Sequence, residues 1–367
     1  MPISATDSIT LAFRHTKRQL FEPFRFWQWT RLALVGLLAG EMSGGGGNFS
    51  FPGNFNVPSQ TGSSRHFLNS GLDSIDPALL GAMITVLVVA DLTFGLVLMY
   101  ISSVMRFILF DSVLLKECRI RQGWSRRQGP GWKYFLWQLG FTLATLVALA
   151  VLLGIPAGFA YTMGWFDAPR EHILGLIAGG IVLFAVLLVL FVAIAVIHVL
   201  TKDFVVPQMA LEGIGAIEGW RRLWLMLQAE KGGYAAYVGM KIVLAIGAGI
   251  VIGILSLVLV FLFALPAAAL GIIAVISGES AGLTWNVVTI TIAVVVGLVL
   301  LMLFMYLLAL ISVPAIVFFP AYSIYYFAPR YRALSLMLYP PRPPASPPAG
   351  GGPPEPPPLM PFPEPIG

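Results

Sequence analysis

Asp91 is the residue of this chain whose type and position most directly suggest chemistry. It lies near the middle of an apolar run at residues 78–104, and an acid at the centre of a membrane helix costs about 2.5–3.5 kcal/mol on insertion scales. Tyr306 and Thr93 are the expected partners of its carboxyl group, since no Lys or Arg lies near the middle of a long apolar run. Two roles stay open: a proton or cation site, or a neutral acid whose hydrogen bonds hold helices together.

The other reactive side chains form no recognisable site. The histidines are scattered without an HExxH pair: His15, His66, His172 and His198. The single cysteine, Cys118, excludes an intramolecular disulfide, and its basic neighbours favour a lowered thiol pKa. The Gly-rich run at 44–48 lacks the strand-to-helix context and the lysine of a phosphate-binding loop. No catalytic residue, cofactor or metal ligand is predicted, and the chain is not expected to be an enzyme.

Composition places these residues in a membrane. Of the 367 residues, 58% are hydrophobic and 11% are charged, whereas an average soluble domain has about 25% charged residues. So few charges do not cover the surface of a soluble protein of this size. The soluble globular class is therefore excluded, as is disorder for most of the chain, and a multi-pass membrane protein remains.

Six apolar runs are predicted to be transmembrane helices. They cover residues 26–40, 78–104, 135–159, 173–196, 242–265 and 287–313. A spanning helix needs about 20 apolar residues, so the first run is short for this purpose. The pattern predicts an all-α fold, a six-span transmembrane helix bundle at residues 1–331, followed by a disordered Pro-rich cytoplasmic tail at 332–367.

The basic residues predict the orientation. They concentrate in the N-terminal segment, in the loops at 106–133 and 202–241, and after the last span, while the alternate loops hold only Arg65 and Arg170. By the positive-inside rule both termini are cytoplasmic. The Gly-rich loop at 42–76 is then extracytoplasmic.

A short amphipathic segment precedes each odd-numbered span. The segments cover residues 7–20, 113–125 and 213–228 and combine aromatic with basic side chains. Such helices lie in the headgroup plane with arginine directed at lipid phosphate, or serve only as topological anchors. We expect three cytoplasmic interfacial amphipathic helices within a three-fold repeated helical hairpin. The candidate lipid-headgroup contacts are Arg14, Arg126, Arg221 and Arg222.

Two acid–base pairs follow the even-numbered spans. Arg106 with Asp111, and Lys202 with Asp203, are expected to form local ion pairs that fix the helix exits. Exposed pairs of this kind contribute little free energy, so their predicted role is structural.

Several motifs carry a resemblance to a known family. The segment at 102–107 with Asp111, the Gly-rich run at 44–48, and the block from 204–207 to 220–222 resemble an uncharacterised family of bacterial integral membrane proteins. That family is similar in layout to the membrane domain fused to some glycerophosphodiester phosphodiesterases. The resemblance covers residues 6–331 and implies a bacterial inner-membrane location but no activity. The soluble phosphodiesterase domain is absent, so its chemistry does not carry over.

Three classes of function are then compared. A non-catalytic membrane protein with a scaffold or lipid-interacting role fits best. The alternative is a secondary transporter or channel that uses Asp91 as an intramembrane site, with Tyr306 beside it. A membrane-embedded enzyme ranks last, since it needs clustered His, Asp, Glu or Ser residues. The expected partners are membrane lipids, and nucleic acid is not expected. The PxxP motifs of the Pro-rich tail fit a protein partner, and the favoured alternative is a tail that is only solvated.

Overall fold

A computed structural model describes residues 4–41, 77–165, 170–280 and 287–340. The described chain is helical and contains no strand, which confirms the all-α class. The predicted loop at 42–76 and the tail from residue 341 lie outside the described residues. The helices are α1 (Ala5–Phe21), α2 (Phe26–Leu38), α3 (Pro77–Leu114), α4 (Ile120–Thr162), α5 (Ile173–Leu200), α6 (Val206–Glu212), α7 (Ala216–Ala229), α8 (Lys231–Ser280), α9 (Val287–Phe327) and α10 (Arg332–Leu338).

Five helical stretches are long and apolar enough to cross a membrane. They cover Ala78–Leu114, Ile120–Thr162, Ile173–Glu212, Lys231–Pro266 and Ile290–Arg330. The predicted first span corresponds to α2, whose 13 residues extend for about 20 Å. The chain is therefore a multi-pass membrane protein by length and composition, and the sixth span is not confirmed.

The N-terminal amphipathic helix is present as α1, and the face that it buries is mostly polar. Ser4 caps the helix, and its side chain accepts a hydrogen bond from the backbone N–H of Asp7 at 3.3 Å. The buried side chains of α1 are mostly polar, and Phe13 is 65% exposed. Polar burial is possible here because His15 and Gln19 hydrogen-bond to α3 and α9. The hydroxyls of Ser8 and Thr16 donate to backbone carbonyls of their own segment.

The second predicted amphipathic helix, at 113–125, is not a separate element. Helix α3 ends at Leu114, and α4 begins at Ile120 and continues through Pro130 into its apolar part. Gly131 lies against α3 so closely that a Cβ atom there would be 2.7 Å from Val104 Cγ2. This close packing keeps the first turns of α4 aligned with α3. The third segment does form a helix of its own, α7, and the three-fold repeat is not confirmed.

The helices pack at one end, which we call the packed end. It comprises α1, α2, α6, α7 and α10 with residues 100–114, 120–138, 196–205, 231–241 and 306–331. The apolar stretches beyond it, at 78–99, 139–159, 173–195, 242–265 and 290–305, are called the arms. Their described side chains are exposed or half-buried, apart from Leu259. Leu334 of α10 is buried, so the packed end continues past the predicted boundary at residue 331.

Candidate functional site

The packed end contains a cluster of buried charges, and a π-helical turn supplies two of them. The turn, Thr201–Val205, continues α5 and is followed by Pro207 in the first turn of α6. Turns of this type insert an extra residue into a helix and are frequent at functional sites. Lys202 and Asp203 lie side by side in it, and both are buried.

Lys202 and Asp203 pair with distant residues, not with each other. The Lys202 ammonium donates to the Glu41 carboxylate, and Glu41 follows the C-terminus of α2. Asp203 accepts from the Lys241 ammonium and, at 2.9 Å, from the Tyr237 hydroxyl. The predicted local pair is therefore wrong, because neighbouring residues on a helix point in different directions.

Arg106 is the fifth buried charge. Its Nη1 donates to the Tyr134 hydroxyl at 2.5 Å, and its Nη2 donates to the Ala39 carbonyl at 3.2 Å. The predicted pair with Asp111 is also wrong. Asp111 instead accepts two hydrogen bonds of 2.6 Å from the guanidinium of Arg127. We call Glu41, Arg106, Lys202, Asp203 and Lys241 the charge cluster.

The three cations of the charge cluster keep Glu41 ionised. Burial alone raises the pKa of this carboxyl group, but the attraction of Lys202, Arg106 and Lys241 outweighs burial, so its pKa lies below the ordinary value. Removing any one of these cations weakens the attraction that offsets the burial of the Glu41 carboxylate. The cluster is thus held together by mutual attraction in a site from which water is largely excluded.

The space between these charges is small. A cavity of about 20 Å³ lies among Glu41, Arg106, Lys202 and Asp203, which is room for about one water molecule. Glu41 Oε1 and Arg106 Nε are buried there without a protein hydrogen-bond partner. The cavity can hold a bridging water but not an organic substrate.

The two residues predicted to form an intramembrane site are not brought together. Asp91 is exposed on the arm of α3. The Tyr306 hydroxyl shares a 2.9 Å hydrogen bond with Thr30, and the Thr93 hydroxyl donates to the carbonyl of Val89 in its own helix. Neither expected partner makes a hydrogen bond with Asp91 in the described part of the chain, and the role of this site stays a prediction.

The four predicted headgroup contacts divide into two pairs. Arg14 and Arg126 are exposed. Arg221 lies 2.5 Å from the Glu218 carboxylate, and Arg222 pairs with both Glu218 and Glu212. The arginines of α7 are thus engaged by carboxylates of the same surface.

The surroundings of Cys118 differ from the expectation. Its side chain is 5% exposed, and burial raises the pKa of the thiol, outweighing a hydrogen bond to Ser112 and the charge of Arg31. An unreactive thiol follows. In the described part of the chain, no group of three His, Cys, Asp or Glu side chains is placed to hold a metal ion.

Sequence reasoning missed Glu41, Tyr134, Tyr237 and Lys241. Lys241 and Glu41 adjoin predicted apolar runs, and a charge at such an edge is also typical of an ordinary interfacial anchor. The available signal was the balance of charge, because Lys202 and Asp203 follow a span directly and each needs a counter-charge if buried.

Comparison with known proteins identifies a family. The model of a family of unknown function, DUF7544, matches residues 3–337. The chain belongs to this family, which extends over the packed end and all five candidate spans. No curated protein and no solved structure matches the chain significantly.

Proposed function

We propose that the chain is a non-catalytic membrane protein with a scaffold or lipid-interacting role. The observation that supports this proposal is that the members of the charge cluster are bonded to other groups of the protein. Four of its members form two ion pairs, and Arg106 is hydrogen-bonded to Tyr134 and Ala39. Opposite charges that compensate one another around a water-sized cavity stabilise one arrangement of helices, and the cavity has no room for an organic substrate.

We further propose six membrane crossings with both termini in the cytoplasm of a bacterial inner membrane. The basic residues support this orientation. So does the position of α1, because His15 contacts the Val113 carbonyl at 2.9 Å and the Tyr325 hydroxyl at 3.1 Å. These contacts lie at the C-terminal ends of α3 and α9, which supports a position of α1 on the same side as those ends. The contact of Glu41 with Lys202 keeps the C-terminal end of α2 at the packed end too, so α2 itself gives no support for the first crossing.

Reporter fusions test this topology. Fusions at Asn56, Gln122, Ala168, Leu225, Gly278 and Ala345 should alternate, beginning outside. Two successive sites on the same side would contradict the six-crossing arrangement, and a cytoplasmic Asn56 would remove the first crossing.

A second candidate function is transport through Asp91. It is favoured by one observation, the exposure of this acid on an apolar arm. An exposed acid at that depth is costly unless it is protonated or covered, and intramembrane acids often mark ion pathways.

Lipid retention tests the preferred function. Purified full-length protein is examined by native mass spectrometry and thermal unfolding before and after incubation with phospholipid vesicles. We expect bound phospholipid and a higher unfolding temperature with added lipid, since a ligand that binds the native state stabilises it. Protein that retains no lipid and gains no stability would contradict a lipid-interacting role.

A further inference from the structure

A groove of about 540 Å³ lies where α5, α7 and α8 meet. Val196 and Leu200 of α5 form one wall, and Trp224 and Leu227 of α7 form another. The buried ring of Tyr234 contributes from α8. Ligand sites in proteins have volumes of about 300–1,000 Å³ and mostly apolar walls, so the groove has the size and lining of a binding site.

One end of the groove carries positive charge. Lys231 lines it and is exposed, and it is the first residue of α8. The neighbouring Glu230 does not neutralise it, because its carboxylate accepts hydrogen bonds of 2.7 and 2.8 Å from Arg330. The positive end of the α8 dipole adds to the lysine charge. An anion is therefore attracted to this end of the groove.

The position of the groove identifies its occupant. Two of its helices belong to candidate membrane spans, Ile173–Glu212 and Lys231–Pro266. The third, α7, is amphipathic and leaves Ile217 80% exposed and Trp224 57% exposed. Such a helix lies at the boundary between headgroups and acyl chains. The molecules that present an acyl chain and an anionic group at that depth are anionic phospholipids.

We propose that this groove binds one anionic glycerophospholipid, with an acyl chain between α5, α7 and α8 and its phosphate at Lys231. The proposal rests on the lipid-interacting role proposed above and gives it a site. The apolar walls account for the chain, and the lysine with the helix N-terminus accounts for the phosphate. Arg221 and Arg222 are not needed, because their charges are engaged by Glu218 and Glu212.

The first test removes the charge. Full-length protein is equilibrated with equimolar phosphatidylglycerol and phosphatidylcholine, and bound lipids are counted by native mass spectrometry. Lys231→Gln should reduce the preference for phosphatidylglycerol about five-fold, the usual contribution of one basic residue near anionic lipid. The matched control is Lys17→Gln, an exposed lysine of α1 outside the groove, which should keep the wild-type preference.

The second test fills the groove. Ala235 lines it and is exposed, whereas the adjacent Ala236 is exposed but does not line it. Ala235→Phe should remove one bound lipid, and Ala236→Phe should retain it, with equal unfolding temperatures for both variants. A third arm adds inorganic phosphate, which should not displace the lipid because it lacks the acyl chain.

The outcomes separate this site from the general function. An unchanged phosphatidylglycerol preference in Lys231→Gln together with wild-type lipid retention in Ala235→Phe would overturn the groove while leaving a lipid-interacting role in place. Displacement by inorganic phosphate would also overturn it, since the site would then bind a free anion. A wild-type protein that retains no lipid would overturn both proposals.

Discussion

Charged side chains have opposite environments at the packed end and on the arms. At the packed end, Lys202 and Asp203 are 8% and 2% exposed, and each contacts an opposite charge from another part of the chain. On the arms, Asp91 is exposed and makes no hydrogen bond or ion pair with another described residue. Buried charges are thus compensated within the chain, whereas the Asp91 carboxyl group has no compensating partner among the described residues.

The difference indicates where the fold obtains its stability. Unpaired buried charges are strongly destabilising, so the charge cluster specifies one arrangement of α2, α3, α5 and α8. The arms gain little by packing on one another, because lipid tails are as apolar as their Leu and Val side chains. We infer that folding information is concentrated at the packed end and that the arms are placed by the bilayer.

The largest expected effect comes from breaking one buried pair. Lys241→Met leaves Asp203 with an uncompensated charge and should lower the free energy of unfolding by about 3–5 kcal/mol. Denaturant titration of the purified protein in detergent measures this. The control Lys17→Met removes an exposed lysine and should change stability little.

A double variant sharpens that prediction. Asp203→Leu combined with Lys241→Met removes both charges and should recover part of the stability, because an apolar pair replaces them. Recovery is incomplete because the Tyr237 hydroxyl loses its acceptor and Glu41 loses the attraction of Lys241. A double variant as unstable as Lys241→Met alone would show that the pair matters for a reason other than charge compensation.

A smaller effect compares two glycines of the same helix. Gly131→Ala in the packed part of α4 places a Cβ 2.7 Å from Val104 Cγ2 and 3.2 Å from its Cα, and should destabilise by about 1–3 kcal/mol. Gly140→Ala on the arm meets no atom within 4 Å and should be neutral or stabilising by up to about 1 kcal/mol. Thermal unfolding of both variants measures the contrast; equal effects would mean that α4 does not pack tightly on α3 at Gly131.

The smallest effect is a pH dependence from His15 of α1. Burial, reinforced by Lys116, lowers the pKa of His15 below its ordinary value of 6.5. The folded state then holds a neutral imidazole, whereas the unfolded chain binds a proton below that pH. Stability from this residue should be complete above pH 6.5 and decline as the pH falls below it. His15→Gln should flatten this part of the pH–stability curve, and an unchanged curve would count against a buried neutral His15.

Much of the arms and less of the packed end was predictable from sequence. Apolar runs of spanning length identify the five arm helices, because lipid exposure makes hydropathy the dominant signal. The partners of Lys202 and Asp203 were not predictable, because Glu41 is 161 residues away and Lys241 is 38 residues away. Proximity in the sequence suggested the wrong ion pairs. The continuity of α4 depends on a contact between Gly131 and α3, which no local sequence pattern reveals.

The expected hydrogen bond between Asp91 and Tyr306 is absent for a related reason. Asp91 and Tyr306 were paired because both lie in apolar runs at similar depth, but equal depth does not make two helices adjacent. Tyr306 contacts α2 through Thr30, and α2 is the short apolar helix whose packing the sequence leaves open. The functional role of Asp91 therefore stays a prediction.

Flux through reconstituted protein tests the central claim most directly. This claim, proposed above, is that the chain is not a transporter and that Asp91 is not part of an ion pathway. Wild-type protein and Asp91→Asn, reconstituted in liposomes and matched for unfolding temperature, should show the same absence of pH- or ion-dependent flux. A flux in the wild type that disappears in Asp91→Asn would contradict the account and make this chain a transporter.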